Sequence, residues 1–128
     1  MLAVDGSQQA KRDSLVPKQH VLHDYTAGPY FPPSQFDLVW SCEFVEHVRE
    51  KYVDNFLRSF ASSRKFLMMT FAGPGQPGYH HVNCQPMGYW IDKVESLGFS
   101  FNEDLTEASR KISTPGHYKN RGLLFTRT

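Results

Sequence analysis

Cysteine is scarce in this chain: Cys42 and Cys84 are the only two among 128 residues. Their wide spacing has neither the paired rhythm of a zinc ribbon nor the density of a disulfide scaffold, so both are expected as reduced thiols in a cytoplasmic protein. An excess of one charge is also lacking, since 14 Lys and Arg face 13 Asp and Glu for a formal charge of +1. That balance gives no basic footprint for nucleic acid, which is therefore not an expected partner. No apolar run approaches the ~20 residues a membrane helix needs, and the opening MLAVDGSQQAKR is too short in its apolar part for a signal peptide. No membrane association is expected. Repeats and low-complexity segments are absent too. What remains is one domain, 1–128, large enough for a single core and small for an α/β enzyme.

Short apolar runs alternate with helical patterns along that domain. Strands are expected at residues 1–4, 20–22, 36–41, 65–72, 99–105 and 122–127. A short helix is expected at 8–15, before Pro17. Residues 48–62 place Val48, Tyr52, Val53, Phe56, Leu57 and Phe60 at spacings of three and four, which predicts an amphipathic helix packed on a sheet. Trp90, Ile91, Val94 and Leu97 predict another over 85–97, with Gly98 as its stop. Residues 108–118 read as irregular around Thr114-Pro115-Gly116, so the last two strands are expected to pair as an antiparallel, hairpin-like end. Strands alternating with helices imply an α/β fold, a mostly parallel Rossmann-like sheet with an antiparallel C-terminal strand.

The segment FDLVWSCEFVEHV, residues 36–48, carries the most chemistry. Its first half resembles a parallel strand buried on both faces. If the residues after Cys42 are helical, 100° per residue puts Glu43, Glu46 and His47 within roughly a quarter of the circumference, where they can hold one ion or one substrate. Ligands in such sheets sit at the carboxyl ends of the strands.

The order of elements, with AVDGS at one strand end, HDY at the next, FDLVWSCEFVEHV after it and a closing GLLFTR, resembles the class I S-adenosylmethionine-dependent methyltransferases over nearly the whole chain. The resemblance implies that Asp5, with Gly6 and Ser7, meets the ribose of S-adenosylmethionine. It further implies that Asp24 and Tyr25 lie beside the adenine, and that Ser41 and Cys42 run past the methionine part. The family pattern opens with a strand and glycine-rich loop that this sequence does not contain, as in an N-terminally truncated member. That strand is central in the family's sheet, so either its neighbours close the gap or a second copy or partner protein covers it. A literal Gly-x-Gly-x-x-Gly at Gly73, Gly75 and Gly78 is no substitute, because Pro74 and Pro77 remove amide donors.

The Glu-x-x-Glu-His run also resembles the metal motif of two O-methyltransferase branches, in which a later His completes the set; His81, in GYHHVN, is the candidate here. This resemblance implies Mn2+, Mg2+ or another divalent ion on Glu43, Glu46, His47 and His81, methyl transfer to an oxygen of a small-molecule substrate, and a catalytic set of Glu46, His47, His80 and His81. Without a metal, His47, His80 or His81 is suited to act as general base. The plainer readings are solvated carboxylates at a helix start, half-exposed loop histidines, and core packing for Tyr30, Trp40 and Tyr79. Asn83 is equally suited to orient substrate or to cap its loop. Cys42 has no basic partner nearby and is expected as a small buried residue. A non-catalytic domain that acts by protein binding is the competing reading of the whole chain.

Overall fold

The computed structural model describes residues 1–128. Strand β1 (Ala3–Asp5) leads through α1 (Gln8–Arg12) and a 3-10 turn at Pro17–Gln19 to β2 (His20–Leu22), and the two strands pair in parallel. The turn between β1 and α1 is set by side chains: Ser7 N–H donates to Asp5 Oδ1 at 2.6 Å, and Ser7 Oγ accepts from Ala10 N–H. Ser7 is thus the N-cap that starts α1.

Strand β3 (Phe36–Ser41) begins a second sheet of order β3-β4-β6-β5, with β4 at Ser63–Thr70, β5 at Phe99–Phe101 and β6 at Gly122–Arg127. β3 and β4 are parallel, and β6 runs antiparallel to both β4 and β5. Val39, Leu67, Phe125 and Phe101 form one row across all four strands. The C-terminal ends of the parallel strands share one edge: Tyr25, just past β2, packs on Phe44, just past β3, at 5.7 Å between ring centroids.

Helix α2 (Val53–Phe60) buries Val53, Phe56, Leu57 and Phe60, the stripe its spacing predicts, after a 3-10 turn at Glu50–Tyr52. Helix α3 (Met87–Glu95) buries Trp90 and Val94, and Gly98 adopts the left-handed φ of +86° that glycine tolerates best. Phe56 is the hub, with Tyr25, Phe44, Phe60 and Trp90 all within 6.3 Å of its ring centroid.

Four expectations are corrected. The strand expected at 99–105 stops at Phe101, because Asn102 caps a helix there, α4 (Glu103–Ile112), its Oδ1 accepting from Leu105 N–H at 2.9 Å. The segment expected to be irregular holds the end of α4 and all of α5 (Gly116–Arg121). β5 and β6 do pair antiparallel, yet two helices separate them, so they form no hairpin. Finally, β3 is not buried on both faces: Leu38 is 45% and Trp40 48% exposed. Replacing Asn102 with Ala should lower stability by about 1 kcal/mol, read as a lower urea midpoint at unchanged slope. The 3-10 turns aside, the remaining elements fall within a few residues of their expected positions.

The gap foreseen between the first strand and β3 is not closed by pairing. β1 bonds only to β2 and β3 only to β4, leaving two separate sheets.

Candidate metal centre and cofactor cleft

Beyond Ser41 the chain does not enter the α-helix expected for Glu43 to His47. Glu43 takes a left-handed φ of +49°, and only Val45–His47 form a single 3-10 turn. Thr70, at the end of β4, accounts for the sharp exit, since its Oγ1 accepts the Glu43 N–H at 2.8 Å. The residues converge all the same. One ligand atom from each of Glu43, Glu46, His47 and His81 lies within 4.8 Å of the others. Donors placed ~2.1 Å from one ion lie roughly 3.0–3.4 Å apart as neighbours and about 4.2 Å apart when opposite, so side-chain rotation has to draw the four together before they make a coordination sphere.

Backbone carbonyls orient both imidazoles. His47 Nδ1 donates to the His80 carbonyl at 3.1 Å, and His81 Nδ1 donates to the Gln76 carbonyl at 3.2 Å. A carbonyl only accepts, so Nδ1 is the donor in each contact and Nε2 is the nitrogen left to ligate from the neutral ring, the orientation typical of metal-binding histidines. The loop that carries His81 is stapled to the 3-10 turn, with the Glu46 carbonyl accepting from the N–H groups of Val82 and Asn83 at 2.9 and 3.1 Å. Two imidazole rings thus meet at 5.2 Å between centroids.

Glu46 is the decisive member. Its side chain is 1% exposed and Oε2 has no hydrogen-bond partner. Burial above all, with the Glu43 carboxylate adding to it, raises its pKa above the ordinary carboxyl range. A buried carboxylate oxygen without a partner is costly, and a cation between Glu46 and Glu43 would relieve that cost. Carboxylate oxygens with imidazole nitrogens fit Mn2+, Fe2+, Co2+ or Zn2+ better than Mg2+, which prefers oxygen and water.

His80 stays outside this cluster: its ring is exposed beside Tyr79, and its contribution is the carbonyl that holds His47. Like Glu43, it takes a left-handed φ, +57°. Sequence reasoning missed three supporting residues, Thr70, Gln76 and Gly78. Gly78 carried a signal in the glycine pattern, but its reason is steric: a Cβ there would sit inside the His81 imidazole. Gly78→Ala should therefore displace His81 and weaken Mn2+ binding by about 10–100-fold, measured by calorimetry. Unchanged affinity would remove His81 from the site.

Beside the cluster lies a cleft of about 670 Å³, mostly apolar, bordered by Asp5, Tyr25, Ser41, Cys42 and Phe44. Ser41 Oγ is buried there without a partner. Asp24 lies outside the cleft lining; its Oδ1 accepts from the Thr26 N–H, which foremost lowers its pKa, and from the Thr26 hydroxyl. Gly6 lets the ends of β1 and β2 approach closely, since a Cβ would stand 3.2 Å from the His23 carbonyl oxygen. Cys42 is half-buried, and burial, with the Glu43 carboxylate next, pushes its thiol pKa up, the opposite of an activated nucleophile. Trp40 packs on Tyr118 at 5.4 Å, Tyr30 packs against the core, and Tyr79 is exposed. Asn83 is buried, with Oδ1 accepting from Gln85.

No family model matches the chain, and no curated protein matches it in sequence. Solved structures do. Magnesium protoporphyrin IX methyltransferase (ChlM) from Synechocystis PCC 6803 with bound SAM aligns with a TM-score of 0.60 at 16% identity, over 98% of this chain and 58% of that one. The fold is that of the S-adenosylmethionine-dependent methyltransferases. The same enzyme with bound SAH gives 0.58 at 14% identity, over 94% of this chain and 57% of that one, and the DhpI-SAH complex gives 0.56 at 14%, over 98% and 63%. The chain thus spans less than two thirds of the length of each of these methyltransferase-fold neighbours. No helix is long and apolar enough to cross a membrane.

Proposed function

We propose that this chain transfers a methyl group from S-adenosylmethionine to an oxygen of a small molecule, with Glu43, Glu46, His47 and His81 holding a divalent ion. The observation that supports this reading most is the meeting of two carboxylates and two oriented imidazoles within 4.8 Å, at adjoining strand tips of a methyltransferase fold. When bound, S-adenosylmethionine supplies an electrophilic methyl carbon, and a divalent ion supplies a Lewis acid that lowers the pKa of a substrate hydroxyl.

The chain's own residues supply binding and orientation. Asp5, with one oxygen committed to Ser7 N–H, has the other free for the cofactor's ribose hydroxyls. Asp24 Oδ1 is committed to Thr26, leaving Oδ2 for the adenine side. Tyr25 and Phe44 line the cleft with apolar surface that excludes water, and Ser41 Oγ has hydrogen-bonding capacity to spare. The Nε2 atoms of His47 and His81 are oriented to take a proton where no ion is held.

A second reading, a protein-binding domain without catalysis, is favoured by the unpaired facing strands of the two sheets. Calorimetry with S-adenosylmethionine and its demethylated product, with and without Mn2+, separates the two. Binding of both, tighter with Mn2+ and weakened by Asp5→Ala, is expected. No heat in any combination would sink the enzyme reading.

A further inference from the structure

Charge nearly cancels over the whole chain but is unevenly placed along it. Residues 108–128 hold Arg110, Lys111, Lys119, Arg121 and Arg127 and not one Asp or Glu, so the remainder sets nine basic residues against 13 acidic ones. This basic segment forms the end of α4, all of α5 and β6. Because β6 runs antiparallel to β4 and pairs Gly122 with Thr70, its first residue lies at the carboxyl edge of the parallel strands. Arg121 therefore stands beside the strand end whose Thr70 holds the Glu43 N–H.

Its guanidinium is packed rather than free in solvent. It lies face-on to Gly73, where a Cβ would come 3.1, 3.2 and 3.2 Å from Nη1, Cζ and Nη2. Its Cζ also stands 5.6 Å from the centroid of the Phe71 ring, within cation–π range. Tyr118 fixes the backbone beneath it: its ring fills the space of a Gly122 Cβ, and its hydroxyl meets Ser109 Oγ at 2.8 Å. Arg110 and Arg127 donate to the carbonyls of Gly122 and Leu97, but Arg121 donates to no acceptor of this chain and joins none of its ion pairs. A planar fork held in place with its donors unfilled suits a carboxylate or a phosphate.

We propose that Arg121 docks an anionic group of the acceptor molecule, which makes the substrate a small hydroxy acid or a phosphate monoester rather than a neutral alcohol. Its place in the fold supports this assignment. Gly73, under the guanidinium, opens the loop of the candidate metal centre: its N–H donates to Gln76 Oε1 at 3.2 Å, and the Gln76 carbonyl holds His81. A group on Arg121 and a hydroxyl at the cluster would thus be gripped from two ends of one short loop. The charges divide in the same way. Glu43 and Glu46 together balance a divalent ion, so the cluster has little charge to spare for an anion, and Arg121 supplies it. The substrate class rests on the methyl-transfer reading, but anion binding at Arg121 needs neither cofactor nor ion.

The test titrates the full chain, with chelator and no cofactor, with glycolate, glycerol phosphate and neutral glycerol, while 15N resonance follows the Arg121 Nε–H and the Gly73 and Gly122 amides. At least one anion should shift these signals to saturation, and glycerol should not. The tighter anion identifies the charged group. Arg121→Gln should weaken it by about tenfold or more, and Lys111→Gln, in the same basic segment, by no more than about threefold. No saturable shift, an equal response to glycerol, or equal losses in the two variants would overturn the proposal, the last showing only a diffuse basic surface. With Mn2+ then added, the proton signals of the anion should broaden, and less so with Arg121→Gln. Equal broadening in that variant would put the anion on the ion itself and overturn the proposal. Shifts at Arg121 without broadening, in protein that binds Mn2+, would overturn the substrate class. A protein that binds no Mn2+ yet shifts at Arg121 would keep the anion site and sink the metal-assisted reading instead.

Discussion

Glu46→Gln should raise the melting temperature of the chelator-treated protein by about 3–5 °C for each kcal/mol relieved, and should erase the rise that Mn2+ produces in the unmodified chain. The buried Oε2 has no partner, so an ionised Glu46 in the metal-free protein is only partly compensated, by a backbone N–H. Because burial raises the folded-state pKa, the contribution of Glu46 to the stability of the metal-free protein is most favourable below the ordinary carboxyl range and is lost as pH climbs through the raised value. The amide removes that slope and a cost of roughly 1–3 kcal/mol at neutral pH. Mn2+ at a hundred times its dissociation constant would add about 2.7 kcal/mol to the unmodified protein and nothing to the variant. The variant should therefore melt higher with chelator, and Mn2+ should close or reverse that gap by raising the unmodified protein alone. A parallel shift under both conditions would mean that Glu46 holds no ion.

Phe56→Ala should cost about 3–5 kcal/mol, a large share of the 5–15 kcal/mol typical of a domain. Phe56 is fully buried and joins Tyr25 after β2, Phe44 after β3, Phe60 on α2 and Trp90 on α3. Phe44 immediately precedes the 3-10 turn that carries Glu46 and His47, so a cavity at position 56 loosens the candidate site as well. Urea unfolding should show the loss, with Mn2+ affinity falling alongside it. By contrast, half-exposed Leu38 on β3 should tolerate Ala within about 0.5 kcal/mol. A loss below 1 kcal/mol at position 56 would contradict the packing described.

Where the sequence carried a strong physical period, it located the elements. The stripe Val53, Phe56, Leu57 and Phe60 is α2, and GLLFTR is β6. It did not expose α4, because EDLTEASRKI buries only Thr106; that helix is held by its Asn102 cap and by Thr106, whose Oγ1 accepts the Leu124 N–H at 2.9 Å. The cap, the acidic first turn and basic Arg110 and Lys111 were the readable signal. FDLVW suggested two covered faces by composition alone, yet burial depends on what lies opposite, and Leu38 and Trp40 remain half exposed. The cluster itself was legible as a set of residues but not as a backbone. Its members converge through the left-handed Glu43 and the carbonyls of Gln76 and His80, which no side-chain spacing encodes. Gly78 shows the same limit, since its reason for being glycine is the His81 ring three residues on.

We propose that an ion on Glu43, Glu46, His47 and His81 and a cofactor in the neighbouring cleft would share one site. Nuclear magnetic resonance of S-adenosylmethionine labelled with 13C at its transferable methyl, bound to the protein and titrated with Mn2+, tests it most directly. Paramagnetic Mn2+ should broaden the methyl signal at one equivalent, and the Glu46→Gln variant should bind the cofactor but leave the signal sharp. A bound methyl signal that Mn2+ leaves unchanged in the unmodified protein, or broadens equally in the variant, would contradict the account.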